Sequence, residues 1–241
     1  MEQLKEALAI LLRELDVEKR DQIKQRLDDL VSVYPFNEYE FLISSLMGCG
    51  KISLGDYYEL RDGYIARNLY LYVFEISAPR NFGEAWAQGH LKEIVPELVK
   101  PTRRLDPAYS GQYDFLLDGE IRIEVKASRA VDADSREALY VKALASDSMK
   151  RFDMNFQQVK PACCDVFVWV GVWRDVIRYW VLSSDEVSNN KYYSPGQHRG
   201  NMGEGQIHLR DDNVQDFAGF ECTARELLEK IRLAFGRQRN A

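Results

Sequence analysis

Apolar residues recur at helical spacing through the first third of the chain. The pattern predicts two amphipathic helices over residues 1–33, a third helix over residues 37–48, and a longer fourth helix that Ser53 caps and that runs to about Glu75. We therefore expect a helical N-terminal region, residues 1–78, packed on the rest of the protein.

The spacing changes to alternation in the middle of the chain. Residues 113–129 read YDFLLDGEIRIEVKASR, in which two β-type runs flank Asp118-Gly119, a dipeptide that is typical of a hairpin turn. The second run alternates strictly, so Glu124 and Lys126 point away from its apolar face. The stretch predicts a β-hairpin.

The rest of the chain predicts further helices and strands. Residues 132–158 predict a helix, and Asp165–Trp173 is a near-continuous apolar run, as expected of a central strand buried on both faces. Residues 176–182 predict the next strand, and Thr223 with Glu226 forms a capping box that opens a last helix.

Composition and charge narrow the class of protein. The chain has 241 residues, 46% of them hydrophobic, which is ample for a core, and its net charge is −6. An acidic average argues against a protein that coats nucleic acid, yet it permits a DNA enzyme with a local basic surface. Four cysteines without zinc spacing, together with the lack of a signal peptide or a membrane-length apolar run, predict a cytoplasmic protein.

The hairpin carries the candidate chemistry. Asp114 is an acid inside an apolar run, which is costly unless a cation or hydrogen bonds satisfy it. Asp114 and Glu124 would hold a divalent metal beside Lys126 if they share one face of the hairpin. A two-residue loop puts the two acids on opposite faces, whereas a three-residue loop or a bulge puts them on the same face. We predict the odd-length loop, with Gly119 as its left-handed residue.

An acid on one strand and Glu-x-Lys on the next resemble the motif of the PD-(D/E)xK nuclease superfamily. Tyr113 departs from the motif, since the family often has Pro there. The resemblance implies a restriction-endonuclease-like α/β core over residues 79–241, with a mixed central sheet flanked by helices. It also implies that Asp114, Glu124 and the Val125 carbonyl bind Mg²⁺, which Mn²⁺ would replace.

The resemblance further implies the remaining site residues. Lys126 would orient or deprotonate the attacking water. In many such enzymes a helix before the hairpin supplies another Glu to the metal, and Glu84 is the residue in that place. Asn81 and Glu84 also have capping-box spacing, which alone would explain this glutamate.

Several polar side chains are candidates for DNA contact. Arg103 and Arg104 precede the hairpin and Arg129 ends it, so these three are candidates for phosphate contact. A polar stretch later in the chain has side chains of the kinds that read base edges, and these are Gln197, His198, Arg199 and Asn201. A solvated loop and ordinary turn chemistry explain the same residues.

The expected function is therefore that of a type II restriction endonuclease that cleaves double-stranded DNA, works as a homodimer and has no membrane partner. Three alternatives stay open. The first is another nuclease of the same fold that serves repair, junction cleavage or RNA cleavage. The second is a DNA- or protein-binding module that lost catalysis, and the third is an α/β domain without a metal site.

Overall fold

The computed structural model of the chain describes residues 2–28, 35–196 and 204–240. The chain divides into two compact units, Met1–Leu69 and Tyr70–Ala241. The boundary lies before the predicted one at residues 78 and 79, because Leu71, Val73 and Phe74 belong to the core of the second unit. The predicted packing of the helical region on the core stays a prediction.

The described part of the first unit is helical. Its helices are α1 (Glu2–Arg13), α2 (Val17–Asp28), α3 (Pro35–Gly48) and α4 (Leu54–Ala66). They share a buried cluster in which the rings of Tyr39 and Tyr64 stack with their centroids 4.1 Å apart. Ser53 caps α4 through a full capping box, as predicted. The predicted length of α4 is wrong, because the helix ends at Ala66 and Leu71–Glu75 is a separate 3-10 helix.

The second unit is built on two sheets. A mixed five-stranded sheet has the order β1-β2-β5-β6-β9, in which β2 and β5 are parallel and the other neighbours are antiparallel. Its strands are β1 (Phe115–Leu117), β2 (Ile121–Arg129), β5 (Val166–Val172), β6 (Ile177–Ser183) and β9 (Glu221–Cys222). Every residue of β5 is buried, as predicted for a central strand.

A four-stranded antiparallel sheet forms the second layer, in the order β3-β4-β8-β7. Its strands are β3 (Val131–Asp132), β4 (Phe152–Val159), β7 (Ser194–Pro195) and β8 (Gly205–Arg210).

The helix predicted over residues 132–158 is wrong. Main-chain hydrogen bonds join Asp132 to Lys142 and Ala130 to Leu144, and the segment then ends in β4. Met154 and Phe156 both point into the core at the period of a strand, so tertiary pairing prevails over the helical composition of the segment.

Helical segments complete the second unit. A π-helix, Asn81–Ala87, leads into α5 (Gln88–Ile94), and short 3-10 helices span Pro161–Cys163, Val214–Phe220 and Ala224–Glu226. Two further helices are α6 (Ser184–Ser188) and α7 (Leu227–Asn240). The predicted capping box of Thr223 and Glu226 is confirmed.

The five-stranded sheet is the middle layer of this unit. Val168 and Val170 of β5 share one apolar cluster with residues of α5 and α7, while Trp169 belongs to a second cluster with residues of β4 and β8. The Phe156 ring stacks on Trp169 with 4.9 Å between centroids. The fold is therefore mixed α/β, with helices on one face of the central sheet and the second sheet on the other.

Candidate metal and active site

The hairpin loop sets the two acids side by side. Leu117 pairs with Ile121 and Phe115 with Ile123, so the loop is Asp118-Gly119-Glu120 and has an odd number of residues. Gly119 has a φ of 76°, as predicted, and Asp118 is also left-handed with a φ of 54°. The predicted register is confirmed.

Backbone and side-chain donors fix the Asp114 carboxylate. The Asp114 amide donates to the carbonyl of Ile123 at 2.9 Å, although Ile123 already pairs with Phe115 in the ladder, so Asp114 lies one residue out of register, directly before β1. Asp114 Oδ2 accepts from the amide of Val125 at 2.8 Å, and Oδ1 accepts from Nε2 of Gln88 at 2.6 Å. Both carboxylate oxygens are thus held in place.

Glu124 is paired with the lysine two residues later. Lys126 Nζ lies 2.8 Å from Glu124 Oε1, and the two side chains are only 16% and 19% exposed. Burial, together with the negative charge of Asp114, raises the pKa of Glu124 to about 7 against the opposing effect of Lys126. Burial also raises the pKa of Asp114. The positive charge of Lys126 therefore does not fully compensate the negative charge of two close, poorly solvated carboxylates.

This donor set fits a hard divalent cation. Within the described residues, no three His, Cys, Asp or Glu side chains are arranged to hold a metal ion. Mg²⁺, however, is commonly bound by one or two carboxylates and takes its other oxygens from water and substrate phosphate. Asp114 and Glu124 line the same cleft and would supply that pair. The ligand role of the Val125 carbonyl stays a prediction.

Gln88 is a site residue that the sequence analysis missed. It opens α5 and is 9% exposed, and its amide bridges two charged groups. Its Nε2 donates to Asp114 and its Oε1 accepts from Lys100, whose ammonium also lies 4.2 Å from the centroid of the Phe115 ring. The available signal was spacing, because Gln88 follows the predicted ligand Glu84 by four residues.

Glu84 itself lies in the π-helix Asn81–Ala87, and the position of its side chain is outside what the structure describes. The predicted capping box is wrong in one respect. The amide of Phe82 already donates to the carbonyl of Ala78, so Asn81 lies inside the helical segment and is not its N-cap. The role of Glu84 in a metal site stays a prediction.

Of the three arginines predicted to contact phosphate, only Arg129 lines the cleft. Arg129 Nη1 donates to the carbonyls of Val73 and Ile76 at 3.1 and 2.7 Å, and the guanidinium lies 4.2 Å from the centroid of the Phe82 ring. Burial lowers the pKa of Arg129 to about 10. One end of this side chain therefore anchors the segment before the π-helix, although the residue still lines the cleft.

Arg103 and Arg104 are exposed in the loop before the hairpin and are not among the residues lining the cleft. The structure therefore does not bring them together with the acids. The predicted base-reading residues Gln197, His198, Arg199 and Asn201 lie outside the described residues.

Asp114 and Glu124 line a cleft with a volume of about 850 Å³. Glu124, Lys126 and Ser128 of β2 form one part of its lining, and the π-helix contributes Phe82 and Gly83. The polar side chains of β4 form another part of the lining. Lys160, which directly follows β4, also lines the cleft and forms an ion pair with Glu204 at 2.7 Å.

No known protein family matches the chain, and no curated protein matches its sequence. Across the described residues, no helix is long and apolar enough to cross a membrane.

Proposed function

We propose that the chain is a Mg²⁺-dependent endonuclease of the PD-(D/E)xK type that cleaves double-stranded DNA at a specific sequence, as type II restriction endonucleases do. One observation carries the proposal. Asp114, directly before β1, and Glu124 of the neighbouring antiparallel strand β2 line one cleft, with the ammonium of Lys126 2.8 Å from Glu124.

The sheet supports the proposal through its strand order. A hairpin bearing the acids, followed in the sheet by a parallel strand and then an antiparallel one, agrees with a restriction-endonuclease-like core. The crossover from β2 to β5 departs from the predicted order, since β3 and β4 take the place of the expected helix.

Each residue of the site has a distinct task in phosphodiester hydrolysis. Bound Mg²⁺ supplies a Lewis acid that lowers the pKa of water and offsets charge on the phosphate. Asp114, held by Val125 and Gln88, presents its carboxylate in one fixed orientation. Glu124 holds its position through Lys126, and both must be available in the charged form.

Lys126 orients the attacking water and stabilises the negative charge that develops on the phosphate oxygens. The water oxygen bonds to phosphorus as the bond from phosphorus to the 3′ oxygen breaks. The attacking water loses one proton to solvent, the 3′ oxygen takes one up from solvent, and the other strand end keeps a 5′-phosphate. A homodimer follows from the need to cut both strands of a two-fold symmetric site.

The test is digestion of phage DNA in Mg²⁺, read on a gel. We expect discrete bands from the parent protein, and no cleavage by Asp114→Ala or Lys126→Ala, both of which should remain folded. Asp211→Ala removes an exposed carboxylate away from the cleft and should cut like the parent.

Three outcomes would correct the proposal. A smear would indicate a non-specific nuclease, and cleavage confined to branched, single-stranded or RNA substrates would indicate a different nuclease of the same fold. If the parent protein cuts no nucleic acid in Mg²⁺ or Mn²⁺, the proposed function is wrong.

A further inference from the structure

The polar face of β4 lies in the same cleft as the acids. Met154 and Phe156 point into the core, and the alternate residues Asp153, Asn155 and Gln157 line the cleft. A bulge after Phe156 breaks the alternation, because Gln158 has a φ of 54°. Gln157 and Gln158 consequently both line the cleft, although they are consecutive.

Cross-strand contacts with β8 hold this row. Asn155 Nδ2 donates to Oε1 of Gln206 at 3.2 Å, which fixes the plane of the Asn155 amide. Asn155 Oδ1 is then buried without a partner in the part of the chain that the structure describes. A buried acceptor left unpaired is costly, so a bound molecule that reached this atom and donated a hydrogen bond to it would remove that cost.

The negative charge of Asp153, in this row of β4 side chains, is largely neutralised. Asp153 Oδ1 lies 2.8 Å from Nδ1 of His208 and 2.9 Å from Nε of Arg210, both on β8. The remaining groups that face the cleft from β4 are neutral amides, each with a donor end and an acceptor end. Side-chain amides contact phosphates as well as bases, but only base edges offer both a donor and an acceptor that pair with both ends of one amide.

We infer that strand β4, supported by β8, reads base edges of a DNA duplex through Asn155 and Gln157, and that the backbone of this duplex lies at the Asp114–Glu124 site. The inference rests on the proposed function, because it takes the cleft to hold DNA. Two features favour a duplex groove as the occupant. The major groove admits paired antiparallel strands, and β4 and β8 are such a pair, flanked, among the strands that the structure describes, only by the two-residue strands β3 and β7. The row is also continuous with the candidate active site along one cleft.

The test is selection of duplexes from a random library by the full-length protein, with Ca²⁺ in place of Mg²⁺ so that bound DNA is recovered intact. The parent protein is compared with Asn155→Ala and Gln157→Ala. The matched control is Gln22→Ala, which removes an exposed glutamine side chain from α2. Gln157 is exposed, so its truncation should leave the fold intact even if that of Asn155 does not.

We expect the parent and the control to select the same sequence. Each β4 variant should lose preference for the correct base at one or two positions by about 5- to 150-fold, with little change elsewhere. The inference is overturned if the parent selects no sequence, or if both β4 variants keep the parental preference at every position. Mg²⁺-dependent cleavage by the parent is scored separately, so a failure of the reading surface is distinguished from a failure of the nuclease proposal.

Discussion

The raised pKa of Glu124 makes the stability of the metal-free protein depend on pH in a defined direction. The pKa rises from an ordinary value of 4.5 to about 7 in the folded state, so the folded protein holds this proton more tightly than the unfolded chain. The resulting stability is fully present below about pH 4.5 and is lost as the pH rises through about 7. Because one pKa unit corresponds to about 1.4 kcal/mol, the loss is on the order of 3 kcal/mol.

Glu124→Gln removes this titration while keeping the shape of the side chain. In EDTA, raising the pH from about 5 to about 8 should lower the free energy of unfolding of the parent protein by ~3 kcal/mol relative to that of the variant. Urea titration followed by tryptophan fluorescence measures this, since the four tryptophans all lie in the second unit. Glu137→Gln, at an exposed position of the same unit, is the matched control and should show no such gain.

Magnesium supplies an independent arm of the same experiment. A divalent ion held by both carboxylates should stabilise the parent protein most at the higher pH, by about 2.7 kcal/mol at a hundred times its dissociation constant. If Glu124→Gln and the parent respond to pH alike, Glu124 ionises as freely as a solvated glutamate and its pKa is not raised by burial.

Three further predictions concern packing, positioning and pH. A Cβ at Gly171 would lie 2.6 Å from the Trp180 ring, so Gly171→Ala should lower the free energy of unfolding by about 1–3 kcal/mol in a urea titration. Gln88→Leu leaves Asp114 Oδ1 without its side-chain donor and should destabilise the protein by about 1–3 kcal/mol, measured in the same way. At subsaturating Mg²⁺, initial cleavage rates should rise with pH up to about 7 as Glu124 loses its proton, and a flat profile would contradict this.

The hairpin could be predicted from the sequence because local chemistry decides it. Strict alternation in β2 fixed its faces, and Asp118-Gly119 marked the turn. The odd-length loop places Phe115 opposite Ile123, and Asp114, directly before β1, lines the same cleft as Glu124. The fully apolar run of β5 likewise identified a strand with no solvent face.

Other features depend on distant partners, so local patterns did not specify them. The segment that ends in β4 has helix-forming composition, but its apolar residues find their partners on β5 and β8, and that pairing favours a strand. Gln88 is unremarkable in the sequence, and its role becomes visible only when α5 brings it against Asp114 and Lys100.

The most direct test of the central claim is a titration of the metal-free protein with Mn²⁺, followed by electron paramagnetic resonance of the free ion. We expect a saturable site on each chain that Asp114→Asn and Glu124→Gln each weaken severely, with Asp211→Asn leaving it unchanged. Undiminished Mn²⁺ binding in the double variant Asp114→Asn/Glu124→Gln, or no binding by the parent protein, would contradict it.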